Sequence, residues 1–187
     1  LLNAADCGVP QKRERVFFCA VRNDIDVPPL KLAPTHRWIG AGEATSDVQV
    51  LTAEEVIDTK LTPQYASYWP HCVNGVTPQD VRKRTTGKDG CFTACRLDVA
   101  KPSPTLMSQE QHFFHWGECR KLTYREWKRL GSFPDDYHAK TDKIGKYMIG
   151  MSVPPKMTEQ VARAVCEQWL NVNYSELSND NQAQNPH

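Results

Sequence analysis

Proline and glycine interrupt the middle of the chain so often that it cannot hold a long helix or a long strand. Between residues 36 and 105 they include Pro63, Pro70, Gly75, Pro78, Gly87 and Gly90. Proline removes a backbone donor and fixes φ, while glycine inside an element costs conformational entropy. We therefore expect an irregular region of short helices and strands, with one helix near residues 52–60. There Thr52 would cap the first turn, and Glu55 would complete a capping box.

Longer regular elements are predicted only near the two ends. Residues 16–21 form a continuous apolar run rich in β-forming residues, which predicts a buried strand. Residues 123–130 have a capping-box pattern with Gly131 as the stop, which predicts a helix. Residues 154–170 predict a longer helix with one apolar stripe, because apolar residues recur at Val161, Val165 and Trp169. The polar residues 175–187 predict a frayed tail.

Composition excludes several classes of protein. The 187 residues carry 23 Lys and Arg against 22 Asp and Glu, a net charge of +1, which excludes a generally basic, histone-like binder. A local basic face is compatible with that balance. The sequence has neither an apolar run of roughly 18 residues nor a secretory leader, and its seven cysteines are an odd number. We expect a soluble cytoplasmic protein with reduced thiols, cut from something longer because it begins at Leu1.

Residues 8–17, Gly-Val-Pro-Gln-Lys-Arg-Glu-Arg-Val-Phe, concentrate side chains that donate hydrogen bonds. Pro10 stiffens a turn, and period-two spacing then directs Gln11, Arg13 and Arg15 to one face of the entering strand. Two guanidinium groups and an amide in one place suit an oxyanion, a phosphate or the edge of a base. The alternative interpretation is the exposed start of a strand with solvated charges.

Two later segments carry further candidate sites. Residues 120–137 contain five cations and one Glu before Gly131, which indicates a basic helix face beside a Phe-Pro-Asp turn. The alternative is a merely solvated face over core residues, namely Leu122, Trp127, Leu130 and Phe133. In residues 147–155 a glycine turn is predicted to lead into the last helix. It would leave Ser152 near a helix N-terminus, which favours carboxylates and phosphates.

In this order, the three segments resemble the C-terminal motifs of the C5-cytosine DNA methyltransferases. They are similar to the eighth, ninth and tenth motifs of that family, in residues 8–15, 120–137 and 147–155 respectively. Between them, Arg96-Leu97-Asp98 and the stretch Lys101-Pro102-Ser103-Pro104-Thr105-Leu106 resemble the end of the family's target recognition region. The resemblance covers most of residues 1–170, and three ordered motifs are far more specific than any one alone.

The resemblance implies a DNA (cytosine-5-)-methyltransferase, which flips a cytosine out of duplex DNA and methylates its C5 from S-adenosylmethionine. It implies that Arg15 holds the flipped cytosine, that Arg13 supports the same pocket and that Gln11 braces the strand. It further implies that S-adenosylmethionine lies beside the tenth motif, at Gly150, Ser152 and Val153. In the ninth motif we expect structural roles for Arg120, Arg125 and Glu126.

Double-stranded DNA is the partner that the resemblance implies. Thr105 and Arg96 would then belong to the recognition region near the target nucleotide. A separate basic cluster lies in a glycine-containing stretch, where we expect a loop that contacts phosphates through Arg82, Lys83, Arg84 and Lys88. The alternative for this cluster is a solvated loop. A role in restriction-modification, in a phage or in regulation would be compatible with these residues.

By resemblance, the fold class is α/β. We expect the end of a Rossmann-like S-adenosylmethionine-dependent methyltransferase domain, combined with an irregular α+β target recognition domain. The catalytic domain would comprise residues 1–24 and 138–172, the recognition domain residues 25–137, and a disordered tail residues 173–187. The predicted strand and closing helix would lack most of their packing partners, so we expect exposed apolar surface on both.

Two features depart from the family pattern. Met151 stands where the family usually has Asn, so a thioether replaces a side-chain amide. The chain contains no Pro-Cys dipeptide, the family's nucleophile motif, and thiolate attack on cytosine needs a positioned cysteine. We therefore expect the chain alone to be inactive. It would complete an active site built mostly by an N-terminal half, in the same polypeptide or in a partner subunit.

Two other readings of the residues stay open. A zinc-stapled DNA-binding module would use a loosely spaced C-x3-C…H-x2-H-x3-C set, namely Cys91, Cys95, His112, His115 and Cys119. A degenerate methyltransferase relic would bind DNA or a partner without chemistry, and Met151 is compatible with it. Arg13 and Arg15 argue against a relic, which has no need of a cytosine pocket. Metal analysis would separate the zinc module from the methyltransferase.

Overall fold

The fold is a mixture of helices and very short strands. A computed structural model describes residues 1–73, 75–108 and 113–170. Its strands are β1 (Leu2–Asn3), β2 (Glu14–Arg15), β3 (Cys95–Arg96) and β4 (Phe113–Phe114). Its helices are α1 (Ala41–Ala44), α2 (Ala53–Asp58), α3 (Pro63–Tyr68), α4 (Pro78–Thr86), α5 (Tyr124–Gly131), α6 (Asp142–Met151) and α7 (Pro155–Trp169). Short 3-10 turns occur at Ala4–Cys7 and Trp69–His71. The prediction that the central region holds only short elements is confirmed.

Backbone pairing joins the start of the chain to a segment near residue 103. β1 pairs with β2 in antiparallel orientation, and β3 pairs with β4 in parallel orientation. Gln11 forms an isolated parallel bridge with Ser103. In that bridge the Lys12 N–H donates to the Ser103 carbonyl at 2.8 Å, and the Ser103 N–H donates to the Pro10 carbonyl at 2.9 Å. The first sequence motif therefore lies directly beside the segment that resembles the recognition region.

Residues 16–21 do not form the predicted strand. β2 ends at Arg15, and the apolar run that follows is largely exposed, with Phe18 at 94%. A strand needs a neighbour for its backbone groups. In the part of the chain that the structure describes, no strand pairs with this run. The prediction of a buried strand is wrong, whereas the expected exposed apolar surface is present here.

Helix α7 confirms the predicted closing helix. Met157, Val161 and Ala164 form its buried stripe, and Met157 packs with the 3-10 turn Ala4–Cys7. Its last turn is partly covered by a proline-rich segment: the Gln168 side chain forms two 2.9 Å hydrogen bonds with the Lys31 backbone. Large apolar side chains are exposed at this helix only at its cap, Leu170, so the expectation of exposed apolar surface along it is wrong. Val165 and Trp169, which were predicted to belong to the stripe, are only partly buried.

The end of α5 corrects a second prediction. Gly131 is the last residue of the helix rather than its stop, and Ser132 caps it in the left-handed conformation with φ 58°. A Cβ on Gly131 would lie 2.9 Å from Cγ2 of Ile149 on α6. The glycine therefore permits close packing of α5 on α6, and the cap falls one residue later.

The main core lies where α5 and α6 meet β4 and the segment near residue 106. Its buried members are Ala41, Leu97, Leu106, Phe113, Leu122, Tyr124, Trp127, Leu130 and Ile149. The prediction that the ninth motif contributes core side chains is confirmed, with Phe133 packed against them. None of the helices in the described ranges has the length and apolar character that crossing a membrane requires. The predicted tail, 173–187, lies outside the described residues.

Candidate functional site

Gln11 ties the start of the chain to two distant backbone groups. Its side chain is buried beside the bridge to Ser103. Its Nε2 donates to the Leu130 carbonyl at 3.4 Å, and its Oε1 accepts from the Leu106 N–H at 3.0 Å. Both partners lie about a hundred residues away along the chain, so Gln11 joins the first motif to the end of α5 and to the recognition segment.

Arg13 completes this connection from the same face. Its Nη1 donates to the Leu106 carbonyl at 2.6 Å, and its Nη2 donates to the Gly150 carbonyl at 2.8 Å. Only 2% of the residue is exposed. Burial, together with the neighbouring charge of Arg15, lowers the pKa of Arg13 to about 10. Gln11 and Arg13 thus bind both backbone groups of Leu106, and the predicted period-two alternation is confirmed for these two residues.

Gly150 lies inside α6 and not in a turn, which corrects the prediction. α6 continues to Met151, and Ser152 is its C-cap. A Cβ on Gly150 would lie 2.3 Å from the backbone carbonyl of Met107. Glycine at this position therefore allows the α6 backbone to touch residues 107 and 108, and leaves the Gly150 carbonyl within reach of Arg13.

Arg15 differs from Arg13 in having donors to spare. It is half-buried at the end of β2, and its Nη1 donates to the Glu14 carbonyl at 2.7 Å. Among the described residues, its guanidinium has no other hydrogen-bond partner. A guanidinium group has five N–H donors, so Arg15 can still donate to a bound molecule. Of the first-motif residues predicted to bind, Arg15 is the one that keeps hydrogen-bond donors available for a ligand.

An open groove of about 870 Å³ runs beside this cluster. Thr105 lines it, held by a 2.7 Å hydrogen bond from its hydroxyl to the Lys12 carbonyl. Arg96 lines the groove too, but its guanidinium group already contacts other groups of the protein. Arg96 donates twice to the Trp116 carbonyl, at 3.0 and 2.7 Å, and lies 3.8 Å from the centre of the Trp69 ring. The structure thus places both predicted recognition residues along one groove.

The basic cluster of residues 82–88 is mostly helical, and the prediction of a loop is wrong. Arg82, Lys83 and Arg84 belong to α4, which begins at a Thr77 capping box that the prediction missed, and Lys88 follows it. Lys83 forms a 3.4 Å ion pair with Asp89, while Arg84 and Lys88 are exposed. α4 packs on α3 and the turn Trp69–His71, whereas the Arg13 cluster joins the ends of α5 and α6. The two cationic regions therefore rest on different elements.

The ninth-motif charges are structural, as expected. Arg120 binds both carboxylate oxygens of Glu126 at 2.8 Å, and Glu126 is fully buried. His115, which the sequence had suggested only as a zinc ligand, joins this network. Its Nδ1 accepts the N–H groups of Gly117 and Glu118, and its Nε2 lies 3.5 Å from a Glu126 oxygen. The turn that follows His115 brings the N–H groups of Gly117 and Glu118 to its ring.

The structure gives the zinc reading no support. Across the described ranges, no group of three or more His, Cys, Asp and Glu residues is arranged to hold a metal. His112 lies outside the described residues. Burial raises the pKa of the Cys95 thiol to about 12. All seven cysteines are free thiols.

Two of the three predicted cofactor residues fit a ligand at the end of α6. Because Gly150 has no side chain, its backbone lies against the backbone of Met107. There is therefore no space for a small molecule at Gly150. Ser152 and Val153 are partly exposed, and the Ser152 hydroxyl donates to the Met148 carbonyl at 2.6 Å while its oxygen can still accept. These two side chains are accessible to a ligand, whereas Gly150 is not.

Comparisons with known proteins identify a family that matches most of the chain. A family model described as C-5 cytosine-specific DNA methylase matches residues 1–167. The chain is 29% identical to the Type II methyltransferase M.BbvI of Brevibacillus brevis, over 91% of this chain and 49% of that protein. It is 30% identical to the Type II methyltransferase M1.HphI of Haemophilus parahaemolyticus, over 88% of this chain and 46% of that protein. The chain therefore spans about half the length of these relatives.

A solved structure is also similar in fold. It is described as a DNA modification methyltransferase encoded within a prophage of E. coli. It matches 91% of this chain and 59% of its own length, with a TM-score of 0.57 and 20% identity. This likeness supports the fold alone. The match over residues 1–167 shows more: the chain belongs to the C-5 cytosine-specific DNA methylase family.

Proposed function

We propose that this chain supplies the DNA-recognising and cytosine-holding part of a DNA (cytosine-5-)-methyltransferase. The complete enzyme would transfer a methyl group from S-adenosylmethionine to C5 of a cytosine flipped out of duplex DNA. The observation that carries the proposal is the family match across residues 1–167. The part of the relatives that this chain does not span would supply the nucleophilic cysteine and most of the cofactor site. The Type II names of both relatives support a role in restriction-modification.

Arg15 is the residue that we assign to the cytosine. Cytosine presents acceptors at O2 and N3, and a guanidinium group can donate to both in one plane. Arg15 has the unused donors for this, whereas Arg13 is held by the carbonyls of Leu106 and Gly150. Arg13 and Gln11 are positioning residues in this proposal, because they fix the strand from which Arg15 extends.

DNA would lie along the groove lined by Thr105 and Arg96. Thr105 is fixed through the Lys12 carbonyl to the segment that leads into β2, so that segment joins the groove to the proposed cytosine site. The exposed cations Arg84 and Lys88 would contact phosphates outside the groove. Phosphate contacts position the duplex without reading its sequence. Replacing either cation with Gln would therefore weaken binding on every sequence and lower the salt slope by about 0.9 for each phosphate that is no longer neutralised.

S-adenosylmethionine would supply the methyl group, with Ser152 and Val153 at one edge of its site. The hydroxyl oxygen of Ser152 can accept a hydrogen bond from an ammonium group, and the side chain of Val153 offers apolar contact. Gly150 would act indirectly, since its carbonyl holds Arg13.

Methyl transfer by the complete protein tests this function. By the complete protein we mean this chain together with the polypeptide of its source organism that carries the Pro-Cys nucleophile motif. That polypeptide would be joined to this chain or be a separate subunit. With labelled S-adenosylmethionine and duplex DNA, we expect 5-methylcytosine in nucleoside mass spectrometry, and none with this chain alone. Arg15→Gln should lower the rate roughly 100-fold, while the matched variant Arg84→Gln should mainly weaken DNA affinity. Methylation at another atom, or transfer by this chain alone, would contradict the proposal.

A further inference from the structure

A tight turn between α4 and β3 exposes the ring of Phe92 to solvent. Phe92 is 71% exposed. The Ala94 N–H donates to the Cys91 carbonyl at 3.1 Å, which closes a β-turn with Phe92 and Thr93 at its corners. Such corners are usually occupied by Gly, Pro, Asn, Asp or Ser. A single exposed apolar residue is ordinary on a protein surface, so the meaning of Phe92 depends on what supports it.

Both ends of this turn are anchored in the protein. Cys91 packs against two core clusters, one around Phe114 and one around Cys72, and Ala94 is buried in the first of them. Cys91 has a φ of 62°, in the left-handed region that few non-glycine residues adopt. Such a backbone persists only where its surroundings hold it, and these positions concentrate at binding sites. The ring of Phe92 is therefore displayed from a rigid support.

The guanidinium group of Arg82 lies against the same turn. A Cβ on Gly90 would lie 3.0 Å from the Arg82 Nε, so the glycine lets the backbone approach that group. The Nε is buried and, in the described part of the chain, has no hydrogen-bond partner. Only Cys91 separates Gly90 from Phe92, so the Cα atoms of Gly90 and Phe92 lie within about 7 Å of each other. An aromatic ring and a cation therefore occupy one small patch.

The charges around Phe92 indicate what kind of molecule covers its ring. Arg84 and Lys88 are exposed nearby in the chain, and the carboxylate of Asp89 is paired with Lys83 at 3.4 Å. The patch therefore combines positive charge with an aromatic face. Nucleic acids have the complementary chemistry, since they carry negative phosphates next to aromatic bases. A purely apolar protein partner would leave these cations without counter-charges.

We propose that Phe92 inserts its ring between neighbouring bases of bound DNA, while Arg84 and Lys88 hold the flanking phosphates. This inference rests on the part of the proposed function that makes duplex DNA the partner. An apolar side chain that enters a base step partly unstacks it, and the energy of that deformation depends on the sequence. Phe92 would thus contribute to sequence preference without forming a hydrogen bond to a base.

DNA affinity is the first test. The probe is a duplex that the complete protein itself selects by binding from a random pool. We expect Phe92→Ala to weaken binding of this duplex roughly tenfold. The salt slope should stay unchanged, because no phosphate contact is lost. Phe92→Trp keeps an aromatic face and should retain most of the affinity.

The control for this test is Ile57→Ala, on α2. Ile57 is 74% exposed, which matches the exposure of Phe92, and it lies outside the proposed DNA contacts. Ile57→Ala should bind the duplex as the parent protein does. Thermal unfolding checks that both alanine variants fold.

Fluorescent bases test the insertion itself. A series of duplexes carries 2-aminopurine in place of one adenine, or pyrrolocytosine in place of one cytosine, and both bases fluoresce more strongly when they are unstacked. We expect the complete protein to raise the signal at one base step through Phe92. That rise should disappear in Phe92→Ala and remain in Ile57→Ala. Weaker binding without a rise that depends on Phe92 would place the ring on a base edge and overturn the insertion.

The remaining outcomes separate this inference from the proposed function. Unchanged DNA affinity of Phe92→Ala, with normal methyl transfer, would overturn the insertion and leave the proposed function standing. A lower salt slope in Phe92→Ala would mean that the turn positions phosphate contacts, and it would also overturn the insertion. Loss of affinity and of the fluorescence rise in a complete protein that forms no 5-methylcytosine would overturn the proposed methyl transfer and support the insertion.

Discussion

Helices α2 and α5 both begin with a capping box whose glutamate binds an arginine, but the two lie in different environments. In α2, Thr52 and Glu55 form a capping box, and Glu55 binds Arg125 through both carboxylate oxygens at 2.8 and 2.7 Å. In α5, Thr123 and Glu126 form the box, and Glu126 binds Arg120 at 2.8 Å through both oxygens. The two sets differ in burial, since the Arg125 side chain is 42% exposed and the Arg120 side chain 8%.

Burial decides what each device contributes. An exposed ion pair is screened by water and salt and stabilises a fold by less than about 1 kcal/mol. A buried pair costs desolvation of both charges, so its net contribution is modest, yet removing one partner leaves the other charge buried and unpaired. Removing one charged partner should therefore destabilise the fold more at the α5 capping box than at the α2 capping box. It also lies beside the core on which Gln11 and the candidate site depend, through the Leu130 carbonyl.

The largest expected difference is between Glu126→Ala and Glu55→Ala. We expect Glu126→Ala to lower the free energy of unfolding by about 3 kcal/mol, because the buried Arg120 guanidinium loses its bidentate partner and keeps a single 2.8 Å contact with the exposed carboxylate of Glu118. Glu55→Ala should cost about 1 kcal/mol, since Arg125 can turn to water. Urea unfolding of the 187-residue chain measures both. Equal losses would show that burial does not distinguish the two boxes.

A double replacement sharpens the same point. Arg120→Met combined with Glu126→Leu removes both buried charges at similar volume. We expect the double variant to be more stable than Glu126→Ala by about 1–3 kcal/mol in the same urea experiment. A double variant as unstable as the single one would indicate that the Thr123 cap, and not the unpaired charge, dominates the loss.

Both capping boxes were predictable, because Thr and Glu three residues apart act locally. The arginine partner of Glu55 was not, since Arg125 lies 70 residues away, whereas Arg120 lies only 6 residues from Glu126 and its structural role was expected. The same division holds at the candidate site. The face shared by Gln11 and Arg13 follows from strand periodicity, whereas the Leu106 and Gly150 carbonyls that they bind depend on tertiary packing. Residues 16–21 have the composition of a β-strand, but among the described residues no strand pairs with them, so the predicted strand does not form.

His115 gives the α5 box a dependence on pH that the α2 box lacks. Burial, reinforced by the charge of Arg120, lowers the pKa of His115 below its usual 6.5. Its Nδ1 accepts two N–H groups, so protonation there would break both bonds. Above pH 6.5 the unfolded and folded forms are both neutral. As the pH falls from 6.5 through the lower folded-state pKa, the unfolded state binds the proton first and stability is lost.

The expected slope is at most about 1.4 kcal/mol per pH unit, for one proton. Urea midpoints between pH 7.5 and 5 measure it, in a range above the usual pKa of the carboxylates. His115→Asn keeps an acceptor near the position of Nδ1 and removes the titration, so its midpoint should vary less over this range. An unchanged slope in that variant would assign the dependence to another group.

The caps themselves should differ less than the ion pairs. Thr52→Ala and Thr123→Ala each remove one side-chain acceptor from the first turn, at a cost of about 1 kcal/mol. Thr123 is buried, so the Glu126 N–H that it binds at 3.1 Å would lose its partner away from water, and its variant should be the less stable one. Thermal unfolding of both variants at one pH gives the comparison. A larger loss for Thr52→Ala would reverse it.

The smallest expected effect, a few tenths of a kcal/mol in the free energy of unfolding, is the change that salt makes to the cost of removing each arginine. In 1 M NaCl the Debye length falls to about 3 Å, which screens the half-exposed Glu55–Arg125 pair more than the buried Glu126–Arg120 pair. We expect Arg125→Met to cost less stability in 1 M than in 0.1 M NaCl, because the pair that it removes is already weakened. The cost of Arg120→Met should be nearly the same in both, since the charge that it leaves unpaired at Glu126 is shielded from the solvent by the core around α5. Parallel urea titrations of the two variants and the parent chain measure these four differences. An equal response to salt would mean that water reaches Glu126, and the distinction between the two boxes would then lie in packing rather than in electrostatics.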